Sequence, residues 1–224
     1  MIGRLTDASN ATFLCRVETD TDDPLAVMQA VYKPTRGERP LDDFPIGTLA
    51  NREVAAYLLS EATGWGIVPL TVLRDGPFGP GMVQLWVDQD PAADVLEMIV
   101  GGDPRLRPIA IFDVLANNAD RKGSHLLPLA SGQVHGVDHG ICFAVEPKLR
   151  TVLWGWRGER LSEDEAAVVS SICDALEADV GRELETLLDP EEVRATAVRA
   201  ETLLRTRLFP QPDPSRPALP WPPF

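Results

Sequence analysis

Apolar and polar positions alternate over short runs in the first part of the chain, which is typical of β-strands. Residues 10–18 and 25–34 predict two strands separated by an acidic turn, and Pro34 ends the second strand. Prolines and glycines interrupt the segment 36–47, which predicts a loop. Within 48–64 the apolar positions instead fall near one helical face and a glycine follows them, which predicts a helix.

The pattern becomes helical after one further pair of strands. Residues 67–75 and 81–89 predict two strands joined by a tip rich in glycine and proline. Ser162 is followed three residues later by Glu165, the capping-box pattern of a helix start. Helices are predicted at 91–102, 106–118, 162–180 and 189–209, with a strand at 125–129 and a strand or loop at 134–144.

Strands and one helix therefore come first, and mostly helices follow. This order predicts an α+β chain with a strand-rich N-terminal half and a helical C-terminal half. Twenty prolines occur in the chain, and many of them lie in the tail 209–224. We expect this tail to be extended or disordered unless it docks on the rest of the protein.

Composition narrows the classes of partner. The 224 residues carry a formal net charge of −13, so we expect neither nucleic acid nor an anionic membrane surface to bind stably. No apolar run is long enough to span a membrane, and no signal-peptide pattern is present. The three cysteines lie far apart in sequence, which indicates reduced thiols and a cytoplasmic location.

Polar chemistry is concentrated in the segment 115–128, "LANNADRKGSHLLP", and in "GVDHG" shortly after it. Asp120 could orient a hydroxyl or accept its proton, with Arg121 beside it as a further catalytic candidate, or it could be an ordinary turn aspartate. Asp138 lies between glycines and could bind Mg²⁺ through a hard oxygen, or it could belong to a simple turn. The two carboxylates together suggest a metal–nucleotide site.

Two charged residues in the first half suit such a site. Lys33 ends a predicted strand, from which a lysine can reach phosphate oxygens; alternatively it is a surface lysine at a sheet edge. Glu53 follows 20 residues later on the predicted helix and is, taken alone, a surface glutamate. Together they match the lysine–glutamate ion pair that positions nucleotide phosphates in kinases.

All three histidines of the chain, His125, His135 and His139, lie close to these aspartates. With Asp138 they could bind Zn²⁺ or Fe²⁺, which leaves a histidine-rich metallohydrolase as an alternative. The spacing contains no HExxH pattern, and glycine-rich phosphate-loop patterns are also missing from the sequence.

The order of these signals is more specific than any one of them. "VYKP", "NREVAAYLL", "QLWV", "NNADR" and "VDHG" follow one another over roughly residues 3–145. This order resembles the atypical kinase superfamily of type II phosphatidylinositol 4-kinases, HipA-like kinases and Fam-type kinases. It is most similar to actinobacterial phosphatidylinositol 3-/4-kinase-like proteins. The resemblance implies a bilobal, protein-kinase-like fold and a transferase that uses ATP and Mg²⁺.

The resemblance also implies roles for individual residues. Lys33 would contact the α- and β-phosphates of ATP, and Glu53 would hold it. Asp120 would be the catalytic aspartate and Asp138 the Mg²⁺ ligand. Residues that would bind the rest of the nucleotide are Ser9 and Asn10 in a loop over the phosphates, and Gln84, Leu85, Trp86 and Val87 in the hinge beside adenine.

One position departs from the family pattern. Members usually place a metal-binding asparagine four or five residues after the catalytic aspartate, where this chain has Ser124 and His125. His125 could bind the metal and favour Mn²⁺, contact phosphate when protonated, or point into the lobe. Because of this departure, the sequence is compatible with two functions, an active kinase and a nucleotide-binding pseudokinase.

We expect a nucleotide-binding N-lobe at 1–87, a catalytic and metal-binding C-lobe at 88–208 and the tail beyond. The acceptor is unknown. The acidic charge and missing amphipathic anchor favour a protein hydroxyl or a small polyol over a lipid.

Overall fold

The computed structural model describes residues 1–5, 10–18 and 28–224. Seven strands and six α-helices lie in this part of the chain. Their bounds are β1 Gly3–Leu5, β2 Thr12–Val17, β3 Met28–Pro34, α1 Leu49–Thr63, β4 Thr71–Gly76, β5 Gly79–Leu85, α2 Val95–Gly101, α3 Arg107–Ala116, β6 Leu126–Pro128, β7 Val134–Gly136, α4 Glu163–Glu177, α5 Asp179–Leu184 and α6 Pro190–Thr206.

Five of the strands form one antiparallel sheet in the order β1-β2-β3-β5-β4. Helix α1 is inserted between β3 and β4, and it ends at Gly64, whose φ of 69° is the left-handed geometry that glycine adopts at helix ends. The remaining helices follow the sheet, with β6 and β7 as a small separate hairpin. The predicted α+β class, with a strand-rich first half and a helical second half, is confirmed.

Helix α1 packs with the C-terminal helices. Its apolar residues Ala55 and Leu59 belong to the same buried cluster as Phe112 and Leu115 of α3. Arg52, only 1% exposed, donates from Nη1 to the Cys142 carbonyl at 2.7 Å and pairs through Nη2 with Glu192 of α6 at 2.6 Å. The helix of the strand-rich half is therefore attached to the helical half.

The capping box predicted at the start of α4 is present, because Ser162 and Glu165 each bind the other's backbone N–H. The prediction of one uninterrupted helix over 162–180 is wrong. Helix α4 ends at Glu177 and the short α5 begins at Asp179. Gly181 of α5 lies against the Leu176 carbonyl, where a Cβ atom would collide, so the glycine permits the chain to turn back there.

The tail docks on the helical half. The Ala218 carbonyl accepts hydrogen bonds from Thr151 N–H at 3.2 Å and from Trp154 Nε1–H at 2.8 Å. Further along, Gly123 N–H donates to the Pro223 carbonyl at 2.8 Å. Proline lacks an N–H but keeps a carbonyl acceptor, so a proline-rich strap of this kind binds through its carbonyls.

No helix in residues 1–5, 10–18 and 28–224 is both long and apolar enough to cross a membrane.

Candidate functional site

Lys33 lies at the centre of a polar cleft beside the end of β3. Its Nζ is 2.7 Å from Glu53 Oε1 and 2.8 Å from Asp138 Oδ1. Burial disfavours the charge on the amine, but the two carboxylates outweigh it and raise the pKa of Lys33 well above its usual value. We call Lys33, Glu53 and Asp138 the cleft cluster, which joins three segments that are far apart in sequence.

Glu53 uses both carboxylate oxygens within the cleft cluster. Its side chain is 3% exposed, and Oε2 accepts the backbone N–H of His139 at 2.8 Å. Burial raises the pKa of Glu53, and the charge of Lys33 partly offsets this effect. Helix α1 therefore fixes the lysine of β3 and the loop around residue 138 relative to each other.

Asp138 has a φ of 62°, in the left-handed region that residues other than glycine seldom adopt. Lys33 holds the pKa of Asp138 well below its usual range, against the effect of burial. About half of the side chain (51%) remains exposed. The loop thus presents an ionised, half-exposed carboxylate to the cleft.

Asp120 lines the same cavity as the cleft cluster, a space of about 300 Å³. Its backbone N–H donates to Asn118 Oδ1 at 2.9 Å, and its Oδ2 is 3.1 Å from Lys122 Nζ. Burial raises the pKa of Asp120, while Lys122 acts in the opposite direction. A carboxylate with a raised pKa accepts a proton more readily than an ordinary aspartate.

Arg121 faces away from this cavity and pairs with Asp113 of α3. Both side chains are fully buried, and Arg121 Nη2 is 2.9 Å from Asp113 Oδ1, with Nε 3.1 Å from both oxygens. Arg121 also donates to the Val137 carbonyl at 3.0 Å and lies 2.6 Å from His139 Nε2. We call Arg121 and Asp113 the sealed pair. The contacts of Arg121 are those of a positioning residue, because they connect the loop that carries Asp120 to the loop that carries Asp138.

His125 lies beside Asp138, with Nε2 3.4 Å from Oδ2. Burial lowers the pKa of His125 to about 4 despite the nearby carboxylate, so the ring is neutral at pH 7. The Lys122 N–H points at Nδ1 from 3.5 Å, which assigns the ring proton to Nε2. A neutral ring disfavours the phosphate contact considered for the protonated form. Metal binding and a structural role both stay predictions.

The other two histidines have separate surroundings. His135 Nδ1 lies 3.0 Å from the Ile67 carbonyl, and His139 is buried against Arg121 and the Phe112 ring. Across residues 1–5, 10–18 and 28–224, no group of three or more His, Cys, Asp or Glu residues is arranged to hold a metal. The four-residue Zn²⁺ or Fe²⁺ site considered from the sequence does not form in this part of the chain.

The predicted hinge continues β5. Gln84 is buried and donates to Thr71 Oγ1 at 2.9 Å, so its side chain belongs to the sheet. Leu85 N–H donates to the Leu70 carbonyl at 2.8 Å and Trp86 N–H to the Gln29 carbonyl at 2.9 Å. The N–H groups of Leu85 and Trp86 are therefore occupied within the sheet.

Val87 is the first hinge residue beyond the strand pairing. In the part of the chain that the structure describes, its N–H has no backbone partner. Of the two residues predicted to cover the phosphates, Asn10 lines the cleft cavity and accepts Arg39 N–H through Oδ1 at 2.9 Å. Ser9 lies outside the described residues.

Sequence reasoning missed three residues that shape the site. Lys122 pairs with Asp120, and its position two residues after that aspartate was the available signal. Glu38 lines the cavity and accepts the N–H groups of Leu49 and Ala50 at the start of α1. No local pattern indicates Glu38, since it lies 11 residues before the N–H groups that it caps. Asp113 is the only carboxylate in the apolar helix predicted at 106–118, which is a signal of a buried partner.

Comparisons with known proteins place the chain among its relatives. No protein-family model matches it. Among solved structures, the Helicobacter pylori proinflammatory kinase CtkA is 13% identical with a TM-score of 0.48, over 89% of this chain and 94% of that one. A chain of the Shewanella oneidensis toxin–antitoxin complex of HipA, HipB and operator DNA is 11% identical with a TM-score of 0.39, over 91% of this chain and 64% of that one. Likenesses this low carry no argument about activity.

A curated protein is much more similar. Protein Rv2133c of Mycobacterium tuberculosis is 43% identical over 259 aligned positions, which cover 100% of this chain and 91% of the relative. The predicted kinship with phosphatidylinositol 3-/4-kinase-like proteins stays a prediction. The chain belongs to the family of Rv2133c.

Proposed function

We propose that the protein is a phosphotransferase that uses ATP and Mg²⁺ and acts on a hydroxyl acceptor. The observation that carries this proposal is the cleft cluster together with Asp120 around one cavity. This set comprises an ion-paired lysine, an ionised carboxylate and a carboxylate of raised pKa. Phosphoryl transfer needs a cation for the phosphates, an oxygen ligand for the metal and a group that orients the attacking hydroxyl.

Lys33 supplies the cation. Its raised pKa keeps the amine charged across the physiological range, and Glu53 holds it through a 2.7 Å ion pair. The second ion pair of Lys33, to Asp138, lies on the exposed side of the cluster. Nucleotide phosphates approaching from the cavity would therefore meet a lysine that is already positioned for their α- and β-oxygens.

The donor set suits Mg²⁺. Asp138 is ionised and half exposed, and Mg²⁺ prefers carboxylate oxygens and water. His125 is the second residue near enough to contribute, although its Nε2 would first have to lose the proton that it directs at Asp138, and imidazole is a softer ligand. When bound with ATP, a metal held by Asp138 would supply positive charge that neutralises the phosphates.

Asp120 is placed to orient the acceptor. In the proposed reaction the acceptor oxygen forms a bond to the γ-phosphorus, the bond from that phosphorus to the bridging oxygen breaks, and ADP leaves. The hydroxyl proton passes to Asp120, whose pKa is raised by burial. Lys122, 3.1 Å from Asp120, is the nearest cation to this carboxylate.

We propose that the edge of the adenine ring binds the backbone of Val87, because the N–H groups of Leu85 and Trp86 already donate to other backbone carbonyls. Asn10 would lie beside the phosphates, since it lines the cavity. A protein hydroxyl or a small polyol remains our preferred acceptor, because a net charge of −13 opposes docking on anionic lipid. The cytoplasmic location remains a prediction.

A second candidate is a nucleotide-binding regulator without turnover. One observation favours it: both oxygens of Asp138 have partners, Lys33 on one and His125 on the other. A metal must displace at least one of them. The two candidates share a binding site and differ in phosphate release.

The test measures phosphate transfer and binding on the same protein. Purified protein is incubated with γ-labelled ATP and Mg²⁺ and scored for autophosphorylation and phosphate release, and nucleotide binding is followed by thermal shift. We expect slow turnover in the wild type. Replacing the catalytic aspartate, Asp120→Asn, should reduce turnover by about 100-fold or more and preserve binding, since general-base catalysis contributes on this scale.

Asp75→Asn is the matched control, because Asp75 is an exposed strand carboxylate that does not line the cleft cavity. It should leave both readings unchanged. Binding without turnover in the wild type would favour the regulator. No thermal shift at millimolar ATP would contradict both candidates.

A further inference from the structure

A second cavity lies in the helical half, between α6, the segment 147–150 and the docked tail. Its volume is about 580 Å³, within the range of small-molecule sites. It shares no lining residue with the cleft cavity. Much of the wall is apolar, with Val198 and Leu203 from α6 and Trp154 and Phe209 from the other sides.

The charges around this cavity oppose those of the whole protein. Four cationic side chains and one carboxylate line it, although the chain as a whole carries −13. The charged lining residues are Lys148, Arg150, Arg199, Arg216 and Asp213. Such a local excess of positive charge in an acidic protein favours an anionic ligand.

Arg199 of α6 is a half-buried cation of this cavity. It donates from Nε to the Leu115 carbonyl at 2.9 Å, from Nη1 to the Ala144 carbonyl at 3.2 Å and from Nη2 to Thr196 Oγ1 at 2.7 Å. Within the described residues no carboxylate lies within 4.0 Å of it. Burial lowers the pKa of Arg199 to about 10. A guanidinium has five N–H donors, so two are left for a ligand.

The other cations divide into two kinds. Lys148 pairs with Asp43 at 2.8 Å, and Arg216 lies 3.8 Å from Asp213. Arg150, like Arg199, has no carboxylate within 4.0 Å in the described ranges. Carboxylates such as Glu192 act on these two arginines only from longer distances, so neither arginine has an ion-pair partner within 4.0 Å in the described residues.

We propose that this cavity is a second ligand site, for a small carboxylate with an apolar body. The carboxylate would bind the two remaining N–H groups of Arg199, where planar fork geometry matches a carboxylate. The apolar body would lie along Val198, Leu203 and Phe209. The proposal does not depend on the proposed phosphotransfer, because the two cavities are separate.

The test uses decanoate as the probe, with decyltrimethylammonium and acetate as matched compounds, on nucleotide-free protein below micellar concentrations. Titration calorimetry should give one decanoate site. Decyltrimethylammonium has the same chain and the opposite charge, and acetate has the charge without the chain. Each should bind at least about tenfold more weakly, which is the effect of losing one charge-assisted hydrogen bond or several buried methylene groups.

A pair of variants locates the site. Thr202 lines the cavity on the exposed side of α6, one turn after Arg199, so Thr202→Glu places a carboxylate beside the guanidinium. This variant should weaken decanoate binding about tenfold or more, whereas Thr202→Gln, of equal size and no charge, should bind like the wild type. Circular dichroism checks that both variants fold.

Three results would overturn the proposal. Equal binding of decanoate and decyltrimethylammonium would identify a purely apolar groove. Unchanged decanoate affinity in folded Thr202→Glu would place binding elsewhere. Absence of decanoate binding to the wild type at millimolar concentration would show that the cavity does not bind this class of ligand.

Discussion

The cleft cluster and the sealed pair use the same kind of contact and differ in access. In both, a cation lies within 3 Å of a carboxylate. Arg121 and Asp113 are fully buried, whereas Lys33 is 21% exposed and Asp138 51% exposed. The sealed pair can be reached only by unfolding its surroundings, whereas a ligand can compete for the cleft cluster directly.

This difference distinguishes a structural ion pair from a candidate site. A buried charge whose partner is removed has no water to replace it, so the pair contributes to the order of the loops around it. A half-exposed pair exchanges its partner for phosphate or metal at a smaller cost. The two loops that carry Asp120 and Asp138 are therefore held from the buried side and presented to the cleft from the other.

The largest effect is expected for the sealed pair. Asp113→Asn leaves the Arg121 charge buried without a counter-ion and should lower the free energy of unfolding by about 3–5 kcal/mol. Asn118 Nδ2 and Thr151 Oγ1 also donate to Asp113, at 3.0 and 3.2 Å, and would compete for the one remaining oxygen. Urea denaturation measures the loss.

Asp103→Asn is the control for that substitution. Asp103 pairs with Arg105 at 2.6 Å, but the arginine side chain is 45% exposed. Asparagine at position 103 still accepts the hydrogen bond that the Arg105 N–H donates to Oδ1, so the cost should be at most about 1 kcal/mol. Equal losses for the two variants would show that burial does not separate the two kinds of pair.

An intermediate effect on stability, with a large effect on binding, is expected for Lys33→Met. Glu53 loses its cation but keeps the His139 N–H, and it can take up a proton because burial already raises its pKa. We expect a loss of about 1–3 kcal/mol in the free energy of unfolding. The thermal shift caused by ATP and Mg²⁺ should disappear. A retained shift would show that the nucleotide does not use this lysine.

The smallest effect on stability is expected for His125→Asn, which restores the asparagine of the family pattern. If His125 is a weak metal ligand, the variant should bind ATP with Mg²⁺ at least as well as the wild type and lose any preference for Mn²⁺. Thermal shifts with the two metals measure this preference. Loss of binding with both metals in a folded variant would contradict the assignment of this position as a metal-ligand replacement.

The comparison also explains what could be predicted from the sequence. Lys33, Glu53, Asp120 and Asp138 could be selected because their order along the chain resembles that of atypical kinases, and the structure brings them to one cavity. Their binding roles remain predictions.

The remaining contacts depend on tertiary packing that no local pattern records. Arg121 was a catalytic candidate because it adjoins Asp120, but its side chain does not line the cleft cavity and pairs with Asp113 inside the core. Docking of the tail through the carbonyls of Ala218 and Pro223 could likewise not be predicted, because a proline-rich sequence has the same pattern whether the segment is free or docked. The second cavity depends on that docking.

The attachment of α1 to the helical half determines how the cleft can open. Arg52 ties this helix to Cys142 and Glu192, and its apolar face shares the core of the C-terminal helices. Helix α1 also packs on β4 and β5 of the sheet, so it contacts both halves of the protein. The Lys33–Glu53 ion pair is a further link between the sheet and this helix. Phosphates that bind Lys33 would compete with that ion pair, so nucleotide binding would act directly on a contact between the two halves.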